Sequence, residues 1–269
     1  MSEIESYYDK KSRTYDVEFD NLYFKVYDTV TWRYLEPYVP TSSNAIILDA
    51  GGGTGRWAIP MAKKGSKVVL LDISEGMLDV AKKKIDAEGL QDRVIIQKGD
   101  ITKINYPEGA FDMVLCEHAL FLFPDPSIVI RELVRVLKQN CPLIVSASNK
   151  YVAALNFVPK NPRKGVALLH GQYHFTVRSA CRLRRRTYPE VYLVTPNEFE
   201  RLLAKNGLKV EKIVGKGVTM PLRIPPEIFF KRDYSRNFLN EILQIELALC
   251  EKPDALGLAG HLQAIAYKV

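Results

Sequence analysis

The chain has 269 residues, 47% of them hydrophobic, with 38 Lys and Arg against 31 Asp and Glu and a formal net charge of +7. That suffices for one large domain, or one domain with an insertion. No apolar run approaches the length needed to cross a membrane, the acidic start Met1–Glu5 lacks an apolar signal core, and four scattered cysteines (Cys116, Cys141, Cys181 and Cys250) form no C-x-x-C pair, so reduced thiols, no zinc site and a cytoplasmic chain are expected.

Residues 1–44 are rich in Tyr, Phe and charge. Ile46–Leu48 is a short apolar strand that runs into Asp49, a glycine-rich turn and a helical pattern from Arg56 to Ala62. After the helix stop Lys63-Lys64-Gly65, residues 67–71 read as a second buried strand. Ser74 is placed to cap a helix whose stripe is Met77, Leu78, Ala81 and Ile85 and which ends near Gly89. Val94–Ile96, Phe111–Cys116 and Leu143–Val145 follow as the third, fourth and fifth strands. Between the last two lies a helix with Val129, Leu133, Val136 and Leu137 inward. Thr195-Pro196-Asn197-Glu198 is a capping box that opens another helix, stopped by Gly207. Residues 208–214 and 262–269 read as two further strands, around a partly helical excursion over 215–260. Alternation of this kind implies an α/β fold with a parallel sheet and right-handed crossovers.

A strand, a tight glycine turn and a helix make a nucleotide-type cradle, because glycine lets the backbone come close to a ligand. Gly53-Thr54-Gly55-Arg56-Trp57-Ala58 fits the dinucleotide fingerprint, and Asp72 stands where a ribose ligand belongs. Such sites place a pyrophosphate on the helix N-terminus, where Asp49 would repel it. S-adenosylmethionine carries an amine and a sulfonium and no phosphate, so Asp49 tips the reading toward that cofactor.

Leu48–Gly55 resembles the first motif of the class I S-adenosylmethionine-dependent methyltransferases. Leu70–Leu78, Gly99–Ile101 and Phe111–Cys116 resemble the next three, in order, across about residues 45–150. The resemblance implies a Rossmann-like seven-stranded sheet, mostly parallel, with helices on both faces and the last strand antiparallel, inserted between the fifth and sixth. It divides the chain into a lid (1–44), a cofactor-binding core (45–150), a basic insertion after the fifth strand (151–194) and the rest of the sheet (195–269). It is similar to the quinone-biosynthesis members, but their Gly-Leu-Arg-Asn stretch is missing; Leu120-Phe121-Leu122-Phe123 stands there.

The resemblance also implies roles. Asp49 would engage the methionine amine, and Ala50, Gly51 and Gly53 would form the turn against the cofactor. Asp72 would accept both ribose hydroxyls, since one carboxylate has lone pairs enough for two donors. Met77 would pack on the adenine face, and Ile73 beside Asp72 would also belong to the cofactor site. Asp100 would accept from the adenine amino group, with the Ile101 amide donating to the ring. Cys116 and Glu117 would face the cofactor, and Tyr8 and Tyr15 would close over it. Each has a plainer alternative: a strand-end carboxylate, a loop cap, core packing or a surface helix with spaced tyrosines.

Methyl displacement needs alignment more than acid–base help. Where a base is used, His118, His170, Tyr173 and His174 are the candidates. His170 and His174 stand at i, i+4 but lack the acidic partner of a metalloprotease helix, so no metal is expected. No Asn/Asp-Pro-Pro-Tyr follows the fourth strand and no Pro-Cys nucleophile occurs, which argues against base-amine, glutamine and cytosine-C5 methylation.

From Leu133 to Pro189 there is no Asp or Glu, and basic residues crowd the same stretch, Arg178, Arg182 and Arg184–Arg186 among them. A solvated face would account for this. So would recognition of an anionic substrate, or a surface that meets phosphate or acidic lipid. The expected function is transfer of a methyl group to a small, anionic acceptor, with S-adenosylhomocysteine as product. RNA-directed methylation through the basic insertion, and non-catalytic cofactor binding, are the alternatives.

Overall fold

The computed structural model describes residues 3–159, 161–170, 174–178, 187–219, 226–229 and 232–269. Its parallel strands lie where the apolar runs predict them: β1 (Ile46–Ala50), β2 (Lys67–Asp72), β3 (Val94–Lys98), β4 (Met113–Cys116) and β5 (Pro142–Asn149). β6 (His174–Arg178) and β7 (Thr187–Val194) form a hairpin, and β8 (Leu208–Lys216) and β9 (His261–Lys268) complete the sheet. The main path runs β3-β2-β1-β4-β5-β9-β8. β9 is antiparallel to both neighbours, as expected of a last strand inserted between fifth and sixth.

The helices, in chain order, are α1 (Glu3–Glu18), α2 (Leu22–Leu35), α3 (Ala58–Lys63), α4 (Glu75–Ala87), α5 (Pro126–Val136), α6 (Lys150–Phe157), α7 (Pro162–Leu169), α8 (Pro196–Lys205), α9 (Pro226–Phe229), α10 (Arg236–Leu249) and α11 (Pro253–Leu256). Alternate residues of each strand point to opposite faces, and two cores result. Leu48, Val114, Cys116, Val145 and Ala264 pack against α5 and α8. Ile47, Leu70, Leu115, Ile144 and Ile265 pack against α2, α3 and α4. The caps read from sequence are present: Ser74 accepts from the Met77 amide at 3.2 Å, and Thr195 and Glu198 close their box. Among the described residues no helix is long and apolar enough to cross a membrane.

The β6–β7 hairpin is the element the sequence does not announce. Pro189 interrupts β7 and demotes it as a strand signal, while His174–Arg178 is short and basic. β7 pairs in parallel with the last residues of β5, Ser148 and Asn149, beyond the end of β4. The hairpin thus extends the sheet to nine strands and stands at the end where the loops of β1, β2 and β4 emerge.

At the N-terminus, α1 lies along α4. Asp9 accepts from Ser74 Oγ at 2.6 Å and the Gly76 amide at 3.0 Å, and Asp16 accepts from Thr54 Oγ1 at 2.7 Å. α10 packs on α2 through Ile242 against Leu22, Tyr23, Val26 and Tyr27.

Candidate functional site

Strand order reverses at β1, between β2 and β4, and ligands of open α/β sheets bind at such a switch point. A cleft of about 820 Å³ opens there. It is lined by Tyr8 and Tyr15 of α1, Gly51 and Gly53 after β1, Asp72 and Ile73 after β2, Met77 of α4, Asp100 and Ile101 after β3, and Glu117 and His118 after β4. The glycine turn is required sterically. Gly51 has φ +75°, and a Cβ there would stand 2.6 Å from the Ala119 Cβ; one on Gly52 would stand 2.8 Å from Asp49 Oδ2.

The Asp49 carboxylate is 1% exposed, and its Oδ2 has no hydrogen-bond partner among the described residues. Burial, then the charges of Asp72 and Glu117, push its pKa up to about 7. A buried carboxylate in this state lacks a cation, and a cationic amine would supply one. Asp72 Oδ2 accepts from the Gly53 amide and Oδ1 from the Ser74 amide, each at 2.9 Å. Each oxygen keeps a lone pair for a ribose hydroxyl. Asp100 is exposed, and its Oδ1 accepts from the Thr102 amide and hydroxyl at 2.8 Å. Asp72, Asp100 and Glu117 line the cleft, while Asp49 lies against Gly52 of the glycine turn without lining it; a cleft so charged suits a cationic nucleoside and disfavours a pyrophosphate, and S-adenosylmethionine fits it.

A second cavity, of about 420 Å³, meets the cleft at Tyr15, Gly51, Gly53, Glu117 and His118; Phe19, Phe24, Tyr27, Asp28, Arg56 and Trp57 line the rest. Arg56 lies over Phe19 and Phe24, and its Nε and Nη2 both donate to Asp28 Oδ2. At the junction stands His118, half-buried, with φ 60° and its amide donating to Ser146 Oγ at 3.0 Å. A non-glycine residue in this left-handed region costs roughly 1–2 kcal/mol, and such strain gathers at functional sites. Its Nε2 has no partner among the described residues. Burial, with the charges of Lys216, Arg56 and Lys11, holds its pKa well below the usual value, so the imidazole is neutral.

Behind His118 is a polar network that sequence reading misses. Lys216, fully buried at the end of β8, reaches Glu117 Oε1 at 2.5 Å and lies 4.1 Å from the Tyr27 ring centroid. Tyr27 donates to the same Glu117 oxygen, and Glu117 Oε2 has no partner among the described residues. His261 of β9 bonds Tyr23 at 3.0 Å, and its ring lies tilted 4.8 Å from the His118 ring. Fully buried Glu246 of α10 accepts from the Val218 and Thr219 amides, fixing the chain just after Lys216. One signal was legible: a lysine inside Val214-Gly215-Lys216-Gly217-Val218, an otherwise uncharged run.

Not all of the expected residues line a cavity. The Cys116 and Ala50 side chains point into the α5-side core and line neither cavity; burial pushes the Cys116 thiol up. Glu117 lines the cleft but is bound to Lys216 and Tyr27. His170 is exposed at the end of α7 and lines neither cavity. Of His174 the position in β6 is described, and the side chain is not; Tyr173, Arg182 and Arg184–Arg186 lie outside the described residues.

Residues 48–145 match the family model of a methyltransferase domain. The chain is 34% identical over 106 residues to a demethylmenaquinone methyltransferase of Lactiplantibacillus plantarum, a match over 38% of this chain and 45% of that relative, so it spans less than half of the relative's length. It is 23% identical over 223 residues to a tRNA 5-carboxymethoxyuridine methyltransferase of Escherichia coli K12, covering 82% of this chain and 79% of the other. Among solved structures, an S-adenosylmethionine-dependent methyltransferase of Methanosarcina mazei superposes with a TM-score of 0.61 at 19% identity, over 88% of this chain and 97% of that one, and shares the fold. Residues 48–145 thus form a methyltransferase domain, the family that the matched model describes.

Proposed function

We propose that the chain transfers the methyl group of S-adenosylmethionine to a small-molecule acceptor seated in the aromatic cavity, with its nucleophilic atom against His118. The observation that carries this is the His118 Nε2: buried, neutral, without a partner among the described residues, and at the junction of cofactor cleft and aromatic cavity. When bound, S-adenosylmethionine supplies an electrophilic methyl group on a good leaving group. The chain's residues supply the rest. Asp49 and Asp72 hold the amine and ribose ends, Met77 and Ile101 cover the adenine, and Tyr8 and Tyr15 close the cleft. His118 takes a proton from the acceptor's O–H or N–H, and the nearby rings of Phe19, Phe24 and Trp57 exclude water. Arg56 is engaged by Asp28 and Lys216 by Glu117, so these two do not account for an anionic acceptor; recognition of such a group falls to the basic insertion. The free thiols of Cys116, Cys141 and Cys250 support a reducing, cytoplasmic setting.

The relation to the tRNA 5-carboxymethoxyuridine methyltransferase, which extends over 82% of this chain, favours an RNA acceptor as the second reading. Incubation with methyl-labelled cofactor and fractionated extract separates the two. Label in a small-molecule fraction, lost in His118→Asn, is the expected result; label confined to RNA establishes the second reading and overturns the first.

A further inference from the structure

The helices α6 and α7 carry an apolar face that the methyl-transfer site does not use. Tyr151, Leu155 and Val158 follow one another at i, i+4 and i+7, and Val166 and Leu169 at i, i+3. Each set makes a single helical stripe. All five are between 43 and 57% exposed, and they are five of the thirteen exposed large apolar residues among the described ones, gathered within residues 151–169. The opposite faces are satisfied. Ala154 and Leu168 pack with Val191 and Leu193 of β7, and Gly165 lies so close to α6 that a Cβ would stand 2.7 Å from the Ala154 carbonyl oxygen. The stripes are therefore not halves of a misplaced core.

The charged residues within 151–169 have one sign. Arg163 and Lys164 are exposed in the first turn of α7, a position the helix dipole disfavours for cations, so helix stability does not account for them. No Asp or Glu occurs from Leu133 to Pro189. Exposed aliphatic stripes flanked by cations match the boundary of an anionic bilayer, where apolar side chains enter the acyl region and basic ones meet phosphate. A nucleic-acid surface would need the cations but not the aliphatics.

The face is also joined to the site. Phe121, in the loop after β4, packs on the α6–α7–β7 cluster and stands 5.5 Å from the His118 ring. We infer that α6 and α7 dock the protein on an anionic phospholipid surface, with the acceptor cavity behind the docking face.

The test uses the full chain and reads binding, not turnover, so its failure leaves the methyl-transfer reading intact. Sedimentation with vesicles should show partitioning onto phosphatidylcholine mixed with phosphatidylglycerol and little onto phosphatidylcholine alone. Added salt should weaken it. Arg163→Gln with Lys164→Gln should lower partitioning roughly fivefold for each charge removed, the worth of one basic residue near an anionic surface. Val166→Trp and Leu169→Trp, compared with the parent chain, should give blue-shifted emission that brominated lipid quenches; these variants add apolar bulk at exposed positions and do not open the core. Absence of partitioning onto anionic vesicles, or Trp emission that vesicles leave unchanged, overturns the inference. So does binding to homopolymeric RNA in place of vesicles, if the Arg163/Lys164 variant loses it.

Discussion

At the scale of single residues, the site rests on two groups held away from their ordinary protonation. Asp49, normally near 3.8, is raised to about 7 by burial. Between those values the folded protein without ligand binds more protons than the unfolded chain. Its stability therefore falls as pH rises from about 4 to 7. A cationic ligand prefers the ionised carboxylate, so affinity for S-adenosylmethionine should rise with pH through the same window and level off above it. Calorimetry in buffers of different ionisation enthalpy should detect proton release on binding near pH 6. Asp49→Asn should stabilise the ligand-free protein at pH 8, by roughly 1–3 kcal/mol if the cost is that of an unsatisfied buried acceptor, while weakening cofactor binding. His118 is the second group. His118→Asn tolerates the left-handed backbone and removes the base, so kcat should fall roughly 10²- to 10⁴-fold with cofactor affinity unchanged. A kcat left intact would assign His118 to packing. Lys216→Met leaves Glu117 buried without its cation and should cost about 3–5 kcal/mol in denaturant unfolding, partly recovered by adding Glu117→Gln.

At the scale of elements, α1 is placed by contacts to the cofactor-binding loops rather than by the sheet. No α1 residue belongs to either sheet core, whereas α2 contributes Val30 and Leu35. Deleting residues 1–20 should leave a cooperatively folding protein that binds S-adenosylmethionine more weakly and turns over little. Unchanged affinity would show that Tyr8 and Tyr15 do not cover the cofactor. The elements differ in how far sequence exposes them. β1 and its glycine turn, α4 with Ser74 and α8 with its capping box are local signals and stand where they were read. The β6–β7 hairpin is held by pairing with the end of β5, a contact distant in sequence, and Pro189 conceals it. Lys216, Tyr27 and His261 converge from β8, α2 and β9. No spacing rule joins positions so far apart, so the residues that line the cleft were legible and most of the buried network around His118 was not. His118 was the exception, because it follows a strand already recognised.

At the scale of the whole molecule, the parallel sheet puts the ends of β1, β2, β3 and β4 at one edge, and α1, α2 and the β6–β7 hairpin surround that edge. The cleft is built mainly by the chain's most regular part, and the aromatic cavity is lined largely by residues 15–28, which precede it. The arrangement turns on a cleft whose carboxylates select a cationic nucleoside over a pyrophosphate. Titration calorimetry of the full chain with S-adenosylmethionine, S-adenosylhomocysteine and NAD tests this most directly. Both sulfur nucleosides should bind, and NAD should not. Asp72→Ala should weaken binding by about 1.5–3 kcal/mol, the worth of a hydrogen bond to a charged group. Binding of NAD without binding of S-adenosylmethionine would contradict the account.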